Sequence, residues 1–204
     1  MARYLGPKCK KCRQLGFSVC GSNRCALLQR GYPPGMHPDL RRRTSDYKKH
    51  LLEKQKLRFS YWLSERQLRN YVKKAFRKHG VSGENLLSFL ERRLDNIVYR
   101  LGFAPTLMAA RQMVSHGHIL VNGRKVNIPS YLLKEADEIS VTEKSKKIAL
   151  IEEGLARSLS RPSLPYIDVD KANLRGRLTS LPERAQIPLE INEGLIMEHY
   201  ARTI

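Results

Sequence analysis

Leu94 to Ile128 reads LDNIVYRLGFAPTLMAARQMVSHGHILVNGRKVNI. Leu94, Ile97, Val98 and Leu101 recur at helical spacing, and Gly102 to Pro105 then breaks the run. Thr106 stands ready to N-cap a second short helix carrying Ala109, Ala110, Met113 and Val114, which Gly117 closes. From Ile119 the apolar period drops to two. Ile119 to Val121, Asn122-Gly123 and Arg124 to Ile128 predict strand, two-residue turn and strand, because Asn-Gly accepts the positive φ of a type I′ turn. Glu138 to Val141 predicts one more strand, so residues 92 to about 142 read as a helix-turn-helix followed by a small sheet. This is a compact α+β module.

Upstream, Leu86, Leu87 and Leu90 continue the apolar period of Leu94 and Ile97, which predicts one helix from about Glu84 to Leu101. Ser64-Glu65-Arg66-Gln67 has the form of a capping box. It opens a helix to about Lys78, with Leu68, Tyr71, Val72, Ala75 and Phe76 on one stripe and Arg69, Lys73, Lys74 and Arg77 beside it. Asp46 to Lys56 is helical in pattern, whereas the first forty-odd residues, including Gly31-Tyr32-Pro33-Pro34-Gly35 and Arg41-Arg42-Arg43, show no periodicity. Downstream, Ala149 to Leu159 reads as a helix, Pro162 and Pro165 interrupt, and Asn192 caps a last helix carrying Leu195, Ile196 and Met197.

The charge is unevenly placed along the 204 residues, whose formal net charge is +19. Residues 1 to 80 hold 21 Lys or Arg against four acids, while residues 151 to 204 hold 7 against 8. A merely solvated surface does not call for so local a surplus, whose self-repulsion a polyanion such as nucleic acid would relieve. The longest apolar runs, such as Ile148 to Ile151, are far below the roughly 20 residues of a membrane span. The N-terminus shows no secretory h-region, so reduced thiols in a cytosolic setting are expected.

Four cysteines fall as Cys9-x₂-Cys12 and Cys20-x₄-Cys25 among Lys8, Lys10, Lys11, Arg13 and Arg24. Two short chelating pairs on one loop suit a structural tetrahedral Zn²⁺, with four ordinary thiols as the alternative reading. His116 and His118 flank a glycine with no acid or cysteine pair nearby, which points to polar contacts rather than metal. No phosphate cradle, nucleophile elbow or Ser/His/Asp constellation is present, so an enzyme is not expected. Glu91 and Asp95 are expected to pair with Arg92 or Arg93.

Candidate RNA contacts are Arg92, Arg93, Arg100, Arg111, Arg124 and Lys125 for phosphates, and Gln112, Ser115, His116, His118 and Asn122 for 2′-hydroxyls and shape. In the basic first part they are Arg3, Lys8, Arg41, Arg42, Arg43, Lys54, Lys56, Arg66 and Arg69. The same helix-turn-helix with a cysteine cluster also fits a zinc-containing regulator that meets duplex DNA.

Several stretches in order closely resemble the bacterial small-subunit ribosomal protein four family. They are Met1 to Pro7, Tyr32-Pro33-Pro34-Gly35, Ser45-Asp46-Tyr47, Glu53 to Lys56, Glu65 to Asn70, Leu94 to Phe103, Ala110 to Ile119, Val121 to Arg124 and Ile191-Asn192-Glu193. The resemblance implies a non-enzymatic primary binder of the 16S rRNA 5′ domain, cytoplasmic in the small subunit, that nucleates its assembly. It further implies a place beside ribosomal protein five at the mRNA entrance, with Arg41 and Arg43 toward the message, and the zinc-bearing variant of the family. The Cys12 to Cys20 loop is shorter than is typical there, and Met36-His37-Pro38 stands in place of the usual Gln-His-Gly.

The expected organisation is therefore α+β in four parts. A basic zinc-stabilised extension covers 1–45, and a helical domain covers 46–90, completed by a C-terminal helix at 188–204. The RNA-binding module covers 91–160, and a connecting segment covers 161–187.

Overall fold

The computed structural model describes residues 4–22, 24–37 and 45–202. In chain order the helices are α1 (Lys8–Leu15), α2 (Ala26–Gln29), α3 (Asp46–Ser60), α4 (Glu65–Arg77), α5 (Ser82–Glu91), α6 (Leu94–Arg100), α7 (Leu107–Ser115), α8 (Ala149–Ser158) and α9 (Glu193–Ala201). The strands are β1 (Ile119–Val121), β2 (Arg124–Lys125), β3 (Glu138–Val141), β4 (Ile167–Asp170) and β5 (Arg175–Leu178). The chain divides into two compact units inside α5: residues 1–86 with 189–204, and residues 87–188.

In the first unit, α9 packs against α3 and α4, so a helix from the end of the chain completes a body begun near its start. Tyr200 donates from its hydroxyl to Glu65 (2.7 Å), and the Asn192 amide donates to Glu53 (3.3 Å). The starts of α4 and α9 are set by local side chains. Ser64 and Gln67 form the expected reciprocal capping box on α4, and the Asn192 carboxamide accepts from the Leu195 amide to cap α9. The N-terminal region, expected to be irregular, instead forms α1 and α2, with the left-handed Gly16 (φ 63°) ending α1.

The second unit sets α6, α7 and α8 with a five-stranded antiparallel sheet of order β2-β1-β3-β5-β4. Ile119 and Val121 of β1, Ile139 and Val141 of β3, and Leu178 of β5 are buried in one core with Leu94, Ile97, Val98, Leu101, Met113 and Val114. Gly176 occupies the β5 position where a Cβ would strike the Leu101 side chain, so its lack of a side chain lets α6's last turn seat on the sheet.

This unit departs from three expectations. Residues 161–187 are not merely a connection, because they supply β4 and β5, and β5 joins the sheet through β3. The apolar period from Leu86 to Leu101 is not one helix: α5 ends at Glu91 and α6 begins at Leu94. Arg93 leaves helical geometry (ψ 136°) to bridge Leu132, and the amides of Leu94 and Asp95 donate to the carbonyls of Tyr131 and Pro129. Long-range partners for the first orphan amides of α6 thus replace the helical turn that periodicity alone predicts. The second hairpin strand is also shorter than expected: Arg124 and Lys125 are paired with β1, and one further amide, that of Val126, donates to the Ile119 carbonyl (3.3 Å).

Among the described residues, no helix is long and apolar enough to cross a membrane.

Candidate nucleic-acid interface

α4 is strongly amphipathic. Leu68, Tyr71, Val72 and Ala75 are buried, while Arg66, Arg69, Lys73, Lys74 and Arg77 are exposed. Its single acid, Glu65, turns inward to receive Tyr200 and the buried Lys54 ammonium (3.1 Å). Burial alone would raise the Glu65 pKa, but the Tyr200 hydroxyl, Lys54 and Arg58 outweigh it and hold the carboxyl below its ordinary value. The outer face of α4 is therefore a run of cations without a carboxylate. Lys73, Lys74 and Arg77 belong to it as fully as Arg66 and Arg69, and their i, i+3 and i+4 spacing already placed them on one side.

The neighbouring cations differ in use. Lys8 is exposed on α1, whereas Lys54 is buried and Lys56 is paired with Glu53 at 2.6 Å. Arg3, Arg41, Arg42 and Arg43 lie outside the described residues.

In the second unit, several arginines expected to meet phosphate build the interior instead. Arg93 forks onto Asp95 (3.0 and 2.7 Å), and Arg111 donates to the same carboxylate (2.8 Å), all three being buried. The two cations share one anion because Arg93 caps α6 at its start while Arg111 projects from α7. Arg100 reaches the fully buried Glu91 (2.8 Å), which also accepts from Asn96 and from the Tyr166 hydroxyl (3.2 Å). Glu91 thus pairs with Arg100, and Asp95 takes the expected Arg93; burial, and then the Glu91 charge, push the Tyr166 pKa up. Arg92, half-buried, donates to the Leu133 carbonyl (2.8 Å).

Asn122 is likewise committed to the fold. Its φ of 50° and the 75° of Gly123 are those of the expected type I′ turn. Its side chain accepts from the Glu138 amide (2.9 Å) and donates to Asp137 (2.8 Å), locking the hairpin onto β3. The Ser115 hydroxyl donates back to the Arg111 carbonyl (2.8 Å). Gln112, His116, Arg124 and Lys125 are exposed, and the His116 and His118 rings lie 6.0 Å apart. The two histidines lie where α7 ends and the hairpin begins.

The cysteines also converge. The sulfurs of Cys9, Cys20 and Cys25 lie within 4.8 Å of one another, so this cluster could hold a metal ion. The buried Cys12 thiol interacts with Cys20 and Cys25, and desolvation pushes its pKa up to about 12. Burial also raises Cys20, while Cys25 is lowered: its own desolvation is outweighed by the Leu27 amide and by the Cys20 and Cys12 thiols. α1 delivers the first pair, Cys25 stands immediately before α2, and Cys20 lies in the loop between the helices. The loop between them is pinned by Trp62, whose indole donates to the Val19 carbonyl (3.2 Å) and whose ring stacks with Tyr4.

A cationic helix face, a helix-turn-helix on a small sheet and a hydrogen-bonding hairpin end define a protein that binds folded nucleic acid. Comparison with known proteins narrows this. Residues 3–91 match the model described as "Ribosomal protein S4/S9 N-terminal domain", and residues 92–139 match "S4 domain". The chain is 49% identical over 208 residues to "Small ribosomal subunit protein uS4" of Magnetococcus marinus, and 47% identical over 209 residues to that of Thermus thermophilus. The protein of the same name from Geobacillus sp. is 50% identical over 203 residues. Each alignment covers 99% of this chain and 100% of the relative. The chain belongs to the uS4 family of small ribosomal subunit proteins, which are structural components and not enzymes.

Proposed function

We propose that this chain is a structural constituent of the small ribosomal subunit that binds 16S rRNA, in the 5′ domain, and nucleates assembly there. The observation that carries the reading is the outer face of α4, where five cations stand exposed with the one acid turned inward. Phosphate contacts from Arg66, Arg69, Lys73, Lys74, Arg77 and Lys8 supply affinity and its salt dependence. Gln112, His116, His118, Arg124 and Lys125 supply recognition of RNA shape. Arg41 and Arg43 meet mRNA at the channel entrance beside ribosomal protein five, in keeping with the same family reading. The site of action is the cytoplasmic small subunit.

The test is a filter-binding competition of labelled 16S 5′-domain RNA against structured random RNA and duplex DNA across a salt series. A large preference for the cognate RNA at physiological salt is expected. Preference for duplex DNA would favour the regulator reading instead.

The four thiols suit Zn²⁺, and we assign Cys9, Cys12, Cys20 and Cys25 as its ligands. The donor set fits: three sulfurs already lie within 4.8 Å of one another, and the fourth interacts with two of them. A bound ion would supply a cross-link between α1 and α2 and would favour the thiolate forms. Chelation is expected to red-shift the fluorescence of Trp62, the single tryptophan, because its indole is bonded within the cysteine loop. Unchanged fluorescence, with no zinc found by elemental analysis, would remove the assignment.

A further inference from the structure

The end of the sheet that carries His118 is built by three strands. Lys125 ends β2, His118 leads into β1, and Thr142 follows β3, with β1 between the other two. The Thr142 amide donates to the His118 carbonyl (2.9 Å), and a 3₁₀ turn at Glu143–Ser145 follows. That turn delivers Ser145, a buried residue, to the His118 imidazole. Its Oγ lies 2.8 Å from His118 Nδ1 and 2.7 Å from the Thr142 hydroxyl.

A ring held at Nδ1 has a fixed orientation, and its Nε2 is left for a ligand. On the other side, the Lys125 stem crosses Gly117 so closely that a Cβ there would strike its Cε. Gly117 thus lets the lysine lie across the residue that separates the two histidines in sequence. Lys144 and Lys147 are exposed on and just after the 3₁₀ turn, while Lys146 pairs with the turn's only acid, Glu143 (2.7 Å).

From this juxtaposition we propose that the turn at 142–147 extends the rRNA-contacting surface of the second unit. In it Ser145 is the positioning residue of His118, and Lys144 and Lys147 meet phosphates. None of these three lies within the matched S4 domain, which ends at residue 139. The inference rests on the rRNA-binding reading.

The test uses the full chain and the 16S 5′-domain transcript. Ser145→Ala and His118→Ala are each expected to lower cognate affinity about tenfold, and the double variant no further, since coupled residues fail to add. Losses that add would mean that Ser145 acts by packing alone and would overturn its positioning role. Lys144→Gln with Lys147→Gln, both exposed, is expected to reduce the slope of log affinity against log salt by about 1 to 2, the release expected of two phosphate contacts. An unchanged slope would overturn the extension even if Ser145→Ala fails to fold. If the wild-type chain shows no preference for this RNA, the ribosomal reading itself fails, and the lysine slopes on the same RNA still judge whether the turn contacts phosphate.

Discussion

The two units use cations in opposite ways. In the first, α4 presents its arginines and lysines outward and folds its acid inward, so its charge is available to a partner. In the second, Arg93, Arg111 and Arg100 are tied to the buried carboxylates of Asp95 and Glu91, so their charge is part of the scaffold. Net charge therefore ranks the two units poorly as binding surfaces; placement decides. In the second unit the exposed polar and basic side chains of the hairpin stand on a frame built with internal ion pairs.

Removing the shared anion should break this contrast most forcefully. Asp95→Ala leaves two buried guanidiniums without their carboxylate and is expected to cost about 3–5 kcal/mol, in the range for a broken buried pair. Urea denaturation of the full chain should show the loss in the second unit, and a loss below about 1 kcal/mol would mean that water or rearrangement compensates. The outward cations predict the reverse pattern. Replacing Arg66, Arg69, Lys73 and Lys74 together with Gln should leave the melting temperature within a few degrees of wild type, because surface changes of this kind usually stay within about 0.5 kcal/mol each. RNA affinity should instead fall on the order of a hundredfold or more, with a shallower salt slope. A large stability loss without an affinity change would erase the distinction between the two units.

The smallest effect sharpens the comparison within the first unit. The Glu65 pKa is lower in the fold than in the unfolded chain, so the unfolded chain binds more protons as pH falls. The stabilisation is present above the ordinary carboxylate range and lost as pH drops through it into the lower folded value. Glu65→Gln should flatten this part of the acid-unfolding profile followed by circular dichroism. An unaltered profile would show that Lys54 and Tyr200 contribute nothing through the charge.

Much of this was legible in the chain because its signals are local. The Asn122-Gly123 turn, the Ser64 capping box and the α4 stripe depend on neighbours within a few residues, and each stands where the pattern puts it, except that Phe76 of the stripe is exposed. The break before α6 was hidden because its cause lies at 129–132, in carbonyls that replace a helical turn. β4 and β5 were hidden because they are four residues each and mix acids or arginines with few apolar positions. One core position of β5 is a glycine, and β5's partner β3 lies more than thirty residues upstream. The inward turn of Arg111 was equally invisible, since its partner Asp95 is 16 residues away and belongs to another helix. Cysteine spacing suggested that the thiols meet, and they do, although no pattern foretold that the only tryptophan would hold their loop.

The placement of α9 has a consequence for the order in which the chain can mature during its synthesis. Residues 87–188 leave the ribosome as a complete folding unit, with all strands of their sheet in hand. The unit that contains the N-terminus must wait, because the partners of Glu53 and Glu65 are Asn192 and Tyr200, 139 and 135 positions later. Vectorial folding is thus inverted here: the domain translated second closes first, and the earlier-made helices remain without their last partner until α9 has been made.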